Sequence, residues 1–265
     1  MVMAKITKGH PWALILGGST GLGLATAKKL GSKGFNIIII HRDRKSDLEK
    51  IKSSFQEITL NEVQCVSFNM DATNPERQKS LVQEIRAVLK DDKVKVLVHS
   101  IAKGNVKPMY AAGTGELEGQ DFQLTIQAMA TSLYDWTKLL VKNQVFSRDA
   151  RIIAFTSEGS TKVWPNYAAV SAAKAAIEAI VRSIALEFAP LGLKANCIQA
   201  GVTDTKSLRL IPGSDQLIQE TLRRNPNKRL TTPEDVANVV YLLSTPEASW
   251  ITGTVIKVDG GESLQ

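Results

Sequence analysis

Apolar residues fall along this chain in two alternating patterns. Short runs rich in apolar and β-branched residues occupy 13–16, 35–40, 63–68, 94–98, 151–156, 193–199 and 254–258. Between them lie longer stretches whose apolar positions recur at helical spacing, at about 24–30, 46–58, 74–90, 122–143, 168–188 and 233–244. A run such as Ile37-Ile38-Ile39-Ile40 has no polar face, as expected of a strand covered on both sides in a parallel sheet. Asn74-Pro75-Glu76 reads as a helix start, because the asparagine can cap and the proline lacks an N–H that would go unused there. Seven strands alternating with helices predict one α/β domain, a doubly wound parallel sheet with helices on both faces. No internal repeat, linker or low-complexity tract interrupts it.

Two places break the alternation. Between Lys103 and Gly119, glycines, a proline and Lys107 predict a loop at the carboxyl edge of the sheet. Between Lys206 and Arg229 the core periodicity fades while Arg209, Arg223, Arg224, Lys228 and Arg229 accumulate. We expect a mobile segment, at about 202–229, that covers a binding site.

The connection after the first run is Gly17-Gly18-Ser19-Thr20-Gly21-Leu22-Gly23. A strand, a glycine turn and a helix start bring backbone N–H groups and the positive end of a helix dipole to one point, and glycines let a pyrophosphate approach. Gly17, Ser19, Thr20, Gly21, Leu22 and Gly23 are therefore candidate cofactor contacts in a Rossmann-type domain. The second run ends in His41-Arg42-Asp43-Arg44. An acid at this tip would hold the ribose 2′-hydroxyl of NADH, whereas arginine accommodates the 2′-phosphate of NADPH. His41 at the tip and Arg42 after it favour NADPH, and Asp43 keeps NADH open. Asp71 and Ala72 follow the third strand, Ser100, Ile101 and Ala102 the fourth, and Gly201, Thr203 and Thr205 the sixth. All are placed at the edge where doubly wound sheets bind ligands.

The chain has 265 residues, a net charge of +7 and a pI near 9.3. Its basic residues are scattered, with no basic helix carrying interleaved aromatics, so the charge points to nucleotide phosphates or an acidic carrier protein and away from nucleic acid. No apolar run reaches membrane-spanning length and the start lacks the apolar stretch of a secretory signal. Cys65 and Cys197 have no metal-ligand or disulfide spacing. A cytoplasmic protein is expected.

The chemistry points to Trp164-Pro165-Asn166-Tyr167, which opens an alanine-rich helix carrying Lys174. Tyr167 and Lys174 are seven residues apart, roughly two turns, so they project from nearly the same side. A nearby ammonium stabilises negative charge on or near a phenol oxygen, which suits a proton donor or oxyanion partner.

Taken with Gly17/Gly21/Gly23, Asp71-Ala72, Ser157 with Lys174, and the closing Val258-Asp259-Gly260-Gly261, the chain resembles the short-chain dehydrogenase/reductase family over nearly its whole length. Most members carry tyrosine four residues before the lysine; here that position is Val170, and Tyr167 has the spacing of the enoyl-acyl-carrier-protein reductases. His99-Ser100-Ile101-Ala102 and Pro165-Asn166-Tyr167 also resemble that branch. The resemblance implies NADPH-dependent reduction of an enoyl thioester linked to acyl carrier protein or CoA, in fatty-acid synthesis. Tyr167 would stabilise an enolate and Lys174 would hold the nicotinamide ribose. Ser157 stands where the family places its catalytic serine and where enoyl reductases often have a second tyrosine. Gln127 falls near the position of the family's helix asparagine. A homotetramer or dimer through the helices at about 118–142 and 167–189 is implied. The alternatives are a carbonyl reductase of the same family, acting on a 3-oxoacyl thioester or another ketone, a reductase of a different enoyl substrate, and a non-catalytic nucleotide-binding regulator.

Overall fold

The computed structural model describes residues 9–113 and 115–265. In chain order the elements are β1 (Trp12–Leu16), α1 (Gly21–Ser32), β2 (Asn36–His41), α2 (Leu48–Thr59), β3 (Cys65–Asn69), α3 (Pro75–Leu89), β4 (Val94–His99), α4 (Gly119–Ile126), α5 (Ser132–Lys142), β5 (Phe146–Ser157), α6 (Ala168–Glu187), β6 (Lys194–Ala200), α7 (Lys206–Arg209), α8 (Ser214–Arg224), α9 (Pro233–Ser244) and β7 (Val255–Val258). The strands form one sheet in the order β3-β2-β1-β4-β5-β6-β7, and every pairing is parallel. The order turns back between β1 and β4, so connections leave in opposite directions there and open a crevice at the strands' carboxyl ends.

Both faces of the sheet are core. Alternate residues Leu14, Leu16, Ile38, Ile40, Leu97 and Ile152 pack with residues of α3, α5 and α6, including Leu81, Ile85, Trp136 and Ile177. The intervening Ile15, Ile37, Ile39, Val96, Val98 and Ile153 pack with α1, α2 and α9 through Ala27, Leu30, Phe55 and Val240. Successive strand side chains point to opposite faces, so a strand covered twice has no position left for a polar residue. Polar strand residues that are buried all the same include Arg151 in β5, at 1% exposure. Its guanidinium donates to the carbonyls of Leu243 and Thr245 and to Asp149. A buried charge persists only with such partners.

Two expectations are corrected, and a stretch with no element assigned to it gains two helices. The fifth strand begins at Phe146, well before Arg151. The helix expected over 122–143 starts at Gly119 and contains a π turn at Gln127–Thr131, where the register shifts between α4 and α5. The segment at 206–229 folds into α7 and α8; α8 buries only Ile218 and Thr221, an apolar stripe too narrow to stand out in the sequence.

Candidate active site

A cleft of about 1090 Å³ runs along the carboxyl edge of the sheet. That exceeds the roughly 300–1,000 Å³ of ordinary small-molecule sites and leaves room for a dinucleotide beside a substrate. Among the sequence-derived candidates, Gly17, Ser19, Thr20, Gly21, Leu22, His41, Arg42, Asp71, Ala72, Ser100, Ile101, Ala102, Ser157, Tyr167, Lys174, Gly201, Thr203 and Thr205 border it. Gly23 lies beneath the loop instead: a Cβ there would meet the Gly17 carbonyl oxygen at 2.2 Å. Gly17 has φ +85° and a Cβ on it would stand 2.6 Å from the Ser100 carbonyl oxygen. The turn thus closes only because both residues lack side chains. Thr20 caps α1 in an extended conformation with no side-chain capping bond, which leaves first-turn N–H groups for an anion. This loop fits a dinucleotide pyrophosphate.

At the tip of β2, His41 behaves differently from expectation. It is the last strand residue, its ring is buried edge-on against Phe55, and Nδ1 lies 2.8 Å from Asp43 Oδ2. His41 therefore secures Asp43, whose main chain is also held by the Asn69 amide in two hydrogen bonds. Arg42 is left 62% exposed, with Nη1 3.0 Å from Asp71 Oδ2.

Tyr167 stands at the N-cap of α6, immediately after Asn166 at φ +64°. Asparagine tolerates this left-handed conformation, and the turn it makes delivers the phenol to the cleft. The ring packs on Gly159, where a Cβ would lie 2.6 Å from Cε1. Burial pushes the phenol pKa up, and the Ser157 hydroxyl beside it pulls the other way. Ser157 Oγ is shut from solvent and makes no well-aligned hydrogen bond within the protein. Lys174 is buried, donates to the Phe155 carbonyl at 2.8 Å, and is brought down to about 8 by burial, against the opposing influence of Cys197 and Glu178. Val170 packs with Ala128, Met129 and Ala173, so the position four before the lysine is apolar and enclosed.

Gln127 is exposed and takes no part in the site. Beyond the π turn, the residue facing the carboxyl end of β4 is Ser132, whose Oγ lies 2.8 Å from Nε2 of the fully buried His99. Burial, with a smaller contribution from the Lys174 charge, brings His99 down to about 3, so the ring is neutral. Sequence reasoning missed this pair because helical counting on a regular helix cannot see a π turn.

Ion pairs hold the segment that forms the far wall of the cleft, and those of Arg223 and Arg224 border it. Arg224 of α8 joins Glu158, the residue after Ser157, at 2.6 Å and Glu262 at 2.5 Å. Arg209 pairs with Asp204 and Asp215, Arg223 with Glu220, and Arg229 with Asp235. All four arginines of the basic segment are thus internally neutralised. No helix among the described residues is long and apolar enough to cross a membrane.

Comparison with known proteins agrees with this geometry. An uncharacterized oxidoreductase of Bacillus subtilis, YjdA, is 28% identical across 94% of this chain and 95% of its own. The 1-cyclohexenylcarbonyl-CoA reductase of Streptomyces collinus is 26% identical across 95% of this chain and 86% of its own. The crystal structure of enoyl-[acyl-carrier-protein] reductase (NADH) from Aquifex aeolicus superposes with a TM-score of 0.80 at 26% identity, covering 96% of this chain and 97% of that one. The family described as enoyl-(acyl carrier protein) reductase matches residues 17–263. The chain belongs to that branch of the short-chain dehydrogenases/reductases, and is an oxidoreductase using a nicotinamide cofactor.

Proposed function

We propose that the protein reduces the 2,3 double bond of an enoyl thioester with NADPH. The observation that carries this reading is the pairing of Tyr167 in the cleft with an enclosed, apolar Val170. Reducing a ketone requires a donor at the oxygen of the same carbon that takes hydride. In an enoyl thioester, hydride arrives at Cβ while charge gathers on the thioester oxygen several bonds away. A hydroxyl one helical turn earlier, displaced by roughly 4.5 Å along the axis, suits the second case.

The bound dinucleotide would supply the hydride. Tyr167 would donate a hydrogen bond to the developing enolate oxygen, in a buried setting where such a bond is strongest. Lys174, fixed by the Phe155 carbonyl, would keep positive charge behind the phenol and hold the nicotinamide ribose. The α-carbon then takes a proton, from solvent. Val106, Met129, Val163, Trp164, Leu210 and Leu217 border the cleft and suit an apolar acyl chain.

NADPH is favoured over NADH because Arg42 borders the cleft at the β2 tip, while Asp43, which borders it too, has one carboxylate oxygen on His41. Since the 206–229 arginines are paired, the charge that segment offers an acidic carrier comes down to Lys206 and Lys228. A CoA-linked enoyl substrate is therefore as well supported as a carrier-linked one, and the CoA reductase among the relatives is in keeping with it. Exposed Leu124, Tyr134 and Leu186 on α4, α5 and α6 support a homodimer or homotetramer through these helices. A cytoplasmic role in fatty-acid synthesis completes the reading.

Ser157 beside Tyr167 favours a second reading, reduction of a 3-oxoacyl thioester or another ketone. One experiment separates them: NADPH oxidation by the purified protein with 2-enoyl thioesters and with the matching 3-oxoacyl thioesters, as CoA and carrier-linked forms. Turnover confined to enoyl substrates supports the proposal, and turnover confined to 3-oxoacyl substrates overturns it.

A further inference from the structure

Asp71 makes an arrangement that the general placement of this residue at a cofactor edge does not require. Its Oδ1 accepts from the Thr73 backbone N–H at 2.9 Å and the Thr73 hydroxyl at 2.6 Å. Oδ2 is thereby turned outward, and it receives two cations: Arg42 Nη1 at 3.0 Å and Lys103 Nζ at 3.1 Å. Two charges bonded to one oxygen atom stand within about 6 Å of each other. Burial pushes the Asp71 carboxyl up, but Thr73 and Lys103 outweigh it.

The three side chains come from separate parts of the fold. Arg42 follows β2, Asp71 follows β3, and Lys103 follows β4, on the opposite side of β1 in the sheet. Lys103 thus reaches over the switch point toward the end of the cleft where the tip of β2 lies. Arg42, Asp71 and Lys103 all border the cleft, and both cations are at least half exposed. Asp43 borders the cleft as well, with its Oδ2 on His41 Nδ1. Within the Arg42–Asp71–Lys103 cluster itself two cations meet one carboxylate, which leaves one positive charge over. A phosphate monoester carries a charge of about −1.5 to −2 on three acceptor oxygens, enough to span two donors at this separation.

We infer that Lys103 is a second anchor for the cofactor's 2′-phosphate, held in register with Arg42 by Asp71 as their shared counter-ion. This rests on the NADPH reading and adds to it a specificity-determining residue far from the β2 tip. Asp71 aligns both donors in advance, so the phosphate meets a formed pair and loses less side-chain entropy on binding. A lysine here contributes nothing to a cofactor with a free 2′-hydroxyl.

The test is calorimetric binding of 2′,5′-ADP and 5′-AMP to the intact protein and to Lys103→Gln, Lys103→Arg and Arg42→Gln. These side chains are exposed, and unchanged melting curves would establish that the variants fold. Lys103→Gln is expected to weaken 2′,5′-ADP about tenfold, the order of one charge-assisted hydrogen bond at a half-exposed site, and 5′-AMP by less than about twofold. Lys103→Arg should recover most of the loss. If Lys103→Gln leaves 2′,5′-ADP unchanged, or weakens both nucleotides equally, the inference falls. If Arg42→Gln alone discriminates between them, the NADPH reading survives that failure. If the unaltered protein binds 2′,5′-ADP no more tightly than 5′-AMP, both fall together.

Discussion

The two ends of the cleft are built by opposite means. The cofactor end is backbone: Gly17 and Gly23 close a turn so tight that a Cβ on Gly23 would overlap the Gly17 carbonyl, and the N-terminus of α1 is left uncapped. The substrate end is side chain: Tyr167 rests on Gly159, Ser157 lacks a well-aligned partner, and Arg224 ties α8 to Glu158 and Glu262. A site made of backbone accepts almost no substitution and recognises what many proteins share. Side chains on a covering segment can change without disturbing the sheet. Dinucleotide binding therefore resides in the rigid end, and substrate choice in the adjustable one.

This contrast is breakable by experiment. The largest effect is expected from Gly23→Ala, which forces backbone apart at the phosphate turn: cofactor affinity should fall by at least about a hundredfold, since a loss of about 3 kcal/mol or more follows from overpacking and strain at such a contact. Binding titrations with NADPH would show it, and near-normal affinity would refute the steric argument. Tyr167→Phe should leave NADPH binding unchanged and depress kcat by about 10²–10³, the usual cost of one oxyanion donor. Undiminished turnover would remove Tyr167 from the chemistry.

Lys174 gives a prediction in pH. Burial depresses it to about 8, so its ammonium is complete only below that value. kcat/KM should be level at lower pH and fall, about tenfold per unit, as pH rises past 8. The stability effect has the opposite sense. The folded pKa lies below the unfolded value, so at neutral pH the fold bears the cost of keeping this group charged, and that cost lessens between about pH 8 and 10.5. Lys174→Met should abolish turnover while leaving the melting temperature unchanged or higher; a marked drop in stability would contradict this. The smallest effect is expected at the substrate end. Arg224→Gln should raise the KM for the acyl substrate several-fold, about 1 kcal/mol, with NADPH affinity intact. An equal loss of NADPH affinity would show that the two ends are not separable.

Much of this was legible in the sequence. The inner strands announced themselves because both of their faces are covered, and β2, with all six residues buried, is the plainest case. The glycine turn and the spacing of Tyr167 and Lys174 were readable because each is set by local geometry along one element. What escaped depends on contacts between elements. Nothing in His41-Arg42-Asp43 says that the histidine turns inward to take the aspartate with it. Nor does a string of arginines reveal that Asp204, Asp215, Glu158, Glu262 and Asp235 will neutralise it. Gln127 was misplaced because regular helical counting carries through a stretch where the helix widens.

That widened turn fixes a phase relation. Thr125, on α4, accepts a hydrogen bond from the Asn105 N–H of the loop over the cleft, while Ser132, Leu133 and Trp136, on α5, face β4 and the core. A π turn holds one residue more than an α turn in the same arc, so it absorbs that residue without swinging α5, whereas one added residue in a regular helix would turn everything after it by about 100°. Were the same residues wound as a regular helix throughout, Trp136, whose indole N–H bonds the Ala72 carbonyl, would rotate out of the core, and His99 would lose Ser132. A one-residue deletion in the regular turns of α5, between Leu133 and Trp136, should therefore be far more damaging than any substitution at the exposed Gln127, making the length of this helix, more than its composition, the inherited quantity.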